Sequence, residues 1–359
     1  MTIIKSNLNH SPSTVSGSRR RFVQGLSLLP FCGAAGRSYS QSAASAPIAL
    51  AKLHSFGLLV TDVARSLDFY QAVFGASIQA RQGDKVILQI GDGPRFFSIA
   101  QTVSGQSPGI SHIGLGLENY SLEGVIAQLE GVGLASIDGI PAAGSLEGAM
   151  SYWVDRRANA ATDLYFRDIE GISYQLSSLA HCGGSGLDGE VCTALERSSR
   201  AGMFELTDLS HFTTFLANKD RANKFYTETF GRSFQAYQGE NSPIIGVGDG
   251  LQFLMYVGGS ADSPPQRAGR IDHVCFNMRN FSVNEILQQL TDFGLTARVN
   301  DNDTQPLMHW VSLRMPNRGG VEGGTPEVYF SDPDGIRIQL QDIGYCGGGG
   351  YLGDSCPPL

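Results

Sequence analysis

The chain repeats itself, and that repeat limits what it can fold into more than any other feature. Ser66 to Gly75 reads SLDFYQAVFG and Ala222 to Gly231 reads ANKFYTETFG, with Phe69-Tyr70 set against Phe225-Tyr226. Leu53-His54 opens an apolar stretch, and Ser210-His211 opens another. Gly91-Asp92-Gly93 returns as Gly248-Asp249-Gly250, and SHIGLGL around His112 returns as DHVCFNM around His273. Tyr165-Phe166-Arg167-Asp168 returns as Tyr329-Phe330-Ser331-Asp332, and each copy closes on CGGxGxxGxxC. Two copies of one unit is the economical explanation. The 359 residues leave room for both cores, and 42% hydrophobic residues with 45 glycines describe a turn-rich globular protein.

Each copy has its own internal order. His54 to Val60 alternates like a strand, an amphipathic helix spans Val63 to Phe74, and strand-like runs follow at Ser77–Arg81, Lys85–Ile90 and Phe96–Ala100. The order then restarts with a strand at Ser111–Leu117, a helix at Leu122–Gly131 and strands near Tyr152, Leu164 and Ile172. The expected class is therefore α+β, with four βαβββ modules. The second copy ends in Phe330-Ser331-Asp332-Pro333-Asp334-Gly335-Ile336 and then Gln339-Leu340.

The strand-initial His, the helix ending in FYxxxFG and this closing turn resemble the vicinal-oxygen-chelate superfamily. That superfamily includes glyoxalases, bleomycin-resistance proteins and extradiol dioxygenases. The resemblance implies one such domain over residues 50–180 and a second over 206–345. A disulfide loop and linker would occupy 181–205, and a C-terminal disulfide loop 346–359. In that family paired modules form a cup of sheet around a divalent metal, and four modules in one chain resemble the type I extradiol dioxygenases.

Carried over, the family's ligand positions fall on His54, His112 and Gln175 in the first copy and on His211, His273 and Gln339 in the second. Strand periodicity points the same way: Ile336, Ile338 and Leu340 fill one face, leaving Arg337, Gln339 and Gln341 on the other. Ser173, Gln175 and Ser177 share a face likewise, and Gly114 and Gly116 leave room beside His112. The remaining ligand position falls near Ser98 and Met255, which offer no strong donor. Two imidazoles and one oxygen suit Fe, Mn, Zn or Ni. Ring-cleaving relatives have a glutamate where this chain has glutamine, so less charge compensates the metal. Tyr165, Tyr329 and His309 are the candidates for general acid or oxyanion stabilisation. Asp163 and Glu327, two residues before those tyrosines, would supply a carboxylate if the strand were shifted.

The N-terminus reads differently. Residues 1–46 hold five Lys or Arg and no acid. Ser18-Arg19-Arg20-Arg21-Phe22-Val23-Gln24 resembles a twin-arginine export signal, followed by an apolar stretch from Gly25 to Gly36 and a small-residue cleavage site at Ala44-Ser45-Ala46. The expected location is the periplasm or outside the cell, reached through the twin-arginine machinery. Losing the signal takes the formal charge from −8 to −13, which disfavours nucleic acid and anionic membrane surfaces. No apolar run reaches the ~20 residues of a membrane span. In an oxidising compartment the cysteines ten apart would pair locally as Cys182–Cys192 and Cys346–Cys356, contributing roughly 2–3 kcal/mol each. The expected function is an exported metalloenzyme acting on a small aromatic or oxygen-rich compound. The alternative is a metal-free periplasmic protein that sequesters a small molecule, as bleomycin-resistance proteins do.

Overall fold

The computed structural model describes residues 47–248, 250–301, 303 and 305–357. The export signal expected over 1–46 lies outside them. Among the described residues no helix is long and apolar enough to cross a membrane.

The first half runs β1 (Leu50–Val60), α1 (Val63–Phe74), β2 (Ile78–Gln82), β3 (Lys85–Gln89) and β4 (Phe96–Gln101). It continues through β5 (Gly109–Leu117), α2 (Leu122–Gly131), β6 (Ala135–Ser136), β7 (Ser151–Arg156), β8 (Thr162–Arg167) and β9 (Ser173–Ser178). The second half repeats the order. It has β10 (Leu206–Asn218), α3 (Lys219–Phe230), β11 (Phe234–Tyr237), β12 (Pro243–Val247) and β13 (Gln252–Gly259). It ends with β14 (Arg270–Met278), α4 (Val283–Phe293), β15 (Thr296–Ala297), β16 (Met308–Arg314), β17 (Thr325–Ser331) and β18 (Arg337–Asp342).

Pairing follows one rule in both halves. β1 lies between β4, parallel, and β5, antiparallel, while β5 pairs in parallel with β9. β10 lies in the same way between β13 and β14, and β14 pairs with β18. Each half is thus a curved mixed sheet, and the two join where Ile110 of β5 meets Ile271 of β14. The chain is α+β, as expected from its periodicities.

The helices form where the sequence supplies caps. Asp62 accepts from the Arg65 amide at the start of α1, and Asn218 accepts from the Arg221 amide at the start of α3. Gly75 and Gly231 end these helices in the left-handed region, with φ of 63° and 60°. At Gly75 a Cβ would lie 2.6 Å from the Ala201 carbonyl, so both the turn and the close approach require glycine.

Burial explains the remaining repeat motifs. One face of each sheet is apolar and packs under the helices into a single core shared by both halves. There Phe56 meets Phe212 and Phe276 at ring distances of 5.7 and 5.8 Å. The FYxxxFG helices bind across the molecule. Tyr70 of α1 donates to Asp332 at 3.0 Å, and Tyr226 of α3 donates to Asp168 at 2.9 Å. Phe69 and Phe74 pack on Phe330 in the opposite half. The described residues accordingly form one compact unit. The other face carries the histidines and glutamines of the repeat among aromatic residues, and in the second half a smaller buried cluster of Ile244, Phe253, Met255 and Tyr345.

Candidate metal centre

The second cup gathers side chains from four strands. His211 comes from β10, His273 from β14, Gln339 from β18 and Tyr329 from β17, and all line a cavity of about 290 Å³. His211 Nε2 lies 3.2 Å from Gln339 Oε1, while its Nδ1 lies 3.1 Å from Ser210 Oγ. Its ring stacks on Phe253 at 4.3 Å and meets His273 edge-on at 5.6 Å. Burial, then the nearby His273, hold the His211 imidazole well below its usual pKa, so it is neutral at pH 7.

His273 is oriented by a residue the sequence analysis missed. Its Nδ1 lies 3.1 Å from the Asp272 carboxylate, which also takes Arg270 and Arg337. Burial opposes ionisation of Asp272, yet His273 and the two arginines hold its carboxyl well below the usual range. With Nδ1–H donated to Asp272, the lone pair of His273 Nε2 faces inward, and that buried atom has no partner. Gln339 Nε2 is likewise buried and unpartnered. Buried polar groups are normally paired. The visible signal was the acid immediately before His273.

Below this cluster Glu327 accepts from Arg314 at 3.0 Å and from Tyr329 and Tyr345 at 3.2 Å each. It is therefore held by the floor of the cup and is not a spare ligand. Tyr345, beside Cys346, was also missed. Its ring lies 5.6 Å from His211, and the bonded Cys346–Cys356 pair, with Cα atoms 6.2 Å apart, closes the loop beneath it. Tyr329 stacks on Trp310 at 5.4 Å and meets His273 edge-on at 5.3 Å, and burial raises its phenol well above the ordinary value.

The first cup is built differently. Both β1 and β10 carry a register shift just before the site, but Ser55 faces Gly114 where His211 faces Cys275. With His112 and His273 matched across their strands, Ser55 is the counterpart of His211, and His54 is the counterpart of Ser210. HSF in one copy stands where SHF stands in the other. His54 Nε2 instead donates to the His181 carbonyl at 2.6 Å. Gln175 Nε2 donates to Asp163 at 3.1 Å, and Asp163 pairs with Arg157 at 2.9 Å. The room expected beside His112 is filled: a Cβ at Gly114 would strike Ser55 Oγ, and one at Gly116 would lie 2.8 Å from Leu179. His112 is left against Ser111 Oγ at 2.9 Å and edge-on to Tyr165, which stacks on Trp153 at 5.5 Å. His112 is within hydrogen-bond reach of Gln175, while His54 is held at the His181 carbonyl, so the three do not gather as one donor set. Burial takes His54 to about 4 and His112 to about 3. Cys182–Cys192 is bonded as expected.

His309 is outside both cups. It bonds Thr291 of α4 at 2.8 Å, on the face of β16 opposite Trp310. Among the described residues no three His, Cys, Asp or Glu side chains gather as a metal site. The donor set of the second cup is two imidazoles and one amide oxygen. The imidazoles of His211 and His273, the latter with its buried Nε2 unpartnered, fit a divalent ion of the Fe, Mn, Zn or Ni group. The first cup does not fit one.

The fold and the cup are similar to those of the vicinal-oxygen-chelate superfamily. Residues 52–138 match the family model of the Glyoxalase/Bleomycin resistance protein/Dioxygenase superfamily. No curated protein matches the chain. Among solved structures, the Mn(II)-bound glyoxalase from Novosphingobium aromaticivorans is similar, with 14% identity, 82% of each chain covered and a TM-score of 0.55. An extradiol ring-cleaving dioxygenase from B. fuscum is similar at 16% identity, covering 86% of this chain and 75% of that one, with a TM-score of 0.55. So is homoprotocatechuate 2,3-dioxygenase from Brevibacterium fuscum, in complex with 3,4-dihydroxyphenylacetate. It shows 17% identity, 83% of each chain covered and a TM-score of 0.55. Identities this low speak for the fold.

Proposed function

We propose that the protein is an exported metalloenzyme of the vicinal-oxygen-chelate type, built from four βαβββ modules in two domains, with its working site in the second cup. His211, His273 and Gln339 would hold a divalent metal, and the substrate is a small aromatic or oxygen-rich compound. The bare, buried Nε2 of His273 beside His211 and Gln339 is the observation that carries this reading. When bound, the metal supplies Lewis-acid polarisation or oxygen activation. The narrower reading is an extradiol-dioxygenase-like reaction, supported by the fold shared with ring-cleaving enzymes.

The chain's own contribution is positioning and exclusion. Asp272 fixes the tautomer of His273 and the plane of its ring. Phe253 and Tyr345 pack around His211 and keep water from it. Tyr329, set against His273, spends its O–H on Glu327, which leaves its oxygen to accept from a ligand hydroxyl in the cavity. The twin-arginine signal and a periplasmic location belong to the same proposal, since that route exports folded proteins with their cofactors.

Elemental analysis of protein purified without added metal or chelator tests the site. About one equivalent of metal is expected, absent in His211→Ala and His273→Ala and retained in His112→Ala. Metal-free protein that takes up none on titration overturns the reading.

A further inference from the structure

The two cups share their aromatic wall and differ in charge at the mouth. Trp153 and Tyr165 stack in one, Trp310 and Tyr329 in the other. Strand register matches Gly109 with Arg270, Ser111 with Asp272, and Ser173 with Arg337. The backbone bonds from Ile137 to Tyr152 and from Arg298 to His309 match Ile137 with Arg298. The second cup is therefore charged at four positions where the first is neutral. A fifth charge, Arg318, comes from the turn between β16 and β17.

Two carboxylates reach this cavity, and both are already engaged. Asp272 holds Arg270, Arg337 and His273, and Glu327 holds Arg314 and two tyrosines. Two cations remain. Arg298 lies over the Trp310 ring, its guanidinium carbon 4.5 Å from the ring centre. Its carboxylate partner, Asp301, is 98% exposed, so water screens that pair. The Arg318 guanidinium has no hydrogen-bond or ion-pair partner among the described residues, and it lines the cavity. Unbalanced positive charge around a concave site is unexpected in a chain of net charge −8, and such a mouth concentrates anions.

We propose that the mouth of the second cup recognises an anionic group on an aromatic ligand, with Arg298 and Arg318 taking a carboxylate or similar planar oxyanion. The ring lies against the Trp310–Tyr329 wall. The Arg298 guanidinium over the indole gives one N–H to the exposed Asp301 and has others left for a planar acid, and Trp310 and Tyr329, stacked on each other, both line the cavity as its aromatic wall. The cavity of about 290 Å³ holds one substituted ring and opens onto a larger cleft that shares Asp272, Trp310 and Arg337. The inference deepens the proposed function by naming the ligand class. It rests on that reading for the site, and it does not need the metal.

The test uses the full chain titrated with 3,4-dihydroxybenzoate and with 4-methylcatechol, the same ring carrying a methyl in place of the carboxylate. Calorimetry and tryptophan fluorescence report binding, with and without chelator. The acid should bind roughly tenfold or more tighter, and added salt should erode the difference. Arg318→Gln, at an exposed position where the fold is safe, should remove much of the preference, and Arg298→Gln most of the rest. Equal affinity for the two compounds, a preference that survives both substitutions, or no binding of either compound overturns the inference. Failure of the metal reading would appear separately, in elemental analysis, and would leave the charge preference standing in chelator.

Discussion

At the scale of single residues, the difference between the cups comes down to what stands beside each histidine. Asp272 holds the His273 ring at Nδ1, while at His112 the same place is taken by the Ser111 hydroxyl. Asp272→Asn keeps the size and removes the charge. It should weaken metal affinity about 10–100-fold, measured by competition with a chromophoric chelator. An unchanged affinity would mean that His273 needs no orienting carboxylate. Such neighbours were present in the sequence without standing out. Asp272 reads as a surface acid at a strand start, and Tyr345 as an aromatic beside a disulfide. Only the folded sheet brings Tyr345, Glu327 and His211 into one floor.

At the scale of elements, the repeat was legible because its glycines, aromatics and cysteines recur together. The order of strands and helices followed from it. The register of one strand was not legible. HSF and SHF contain the same residues, and matching histidine to histidine hides a one-residue slip that changes which residue faces the neighbouring strand at the cup. The structure gives that slip a test. Exchanging the pair in β1, as His54→Ser with Ser55→His, sets an imidazole opposite Gly114, at the register His211 holds opposite Cys275. Metal content should rise above that of the wild type, because His112 and Gln175 are already on adjoining strands. An unchanged content would show that Asp163 and His181 hold Gln175 too firmly for it to serve.

At the scale of the whole molecule, burial sets the response to acid. His54 and His181 are held to about 4, His112 to about 3 and His211 well below 6.5, in each case mainly by desolvation. Unfolded imidazoles gain protons near 6.5, so from there down to about 4 the unfolded chain binds more protons and stability falls with pH. Asp168, raised to about 7, and Asp332, raised to about 6, have the opposite slope, again from burial. With His309 also lowered and Asp163 and Asp188 also raised by burial, five imidazoles oppose four carboxyls, so the histidines prevail narrowly, with a net slope of about 1.4 kcal/mol per pH unit at most. Urea midpoints of chelator-treated protein should drop between pH 6.5 and 4. A flat profile would show that the carboxyl groups cancel the imidazoles.

The tyrosine–aspartate exchange between halves also sets a timetable for synthesis. Tyr70 and Asp332 are 262 residues apart along the chain. A ribosome adding ~5–20 residues per second needs roughly 13–50 s to deliver the partner after Tyr70 has emerged. Through that interval Phe69 and Phe74 also lack Phe330 and face solvent or a chaperone. The nascent first half is therefore incomplete by construction, and its period of exposure is fixed by translation speed rather than by its own folding rate.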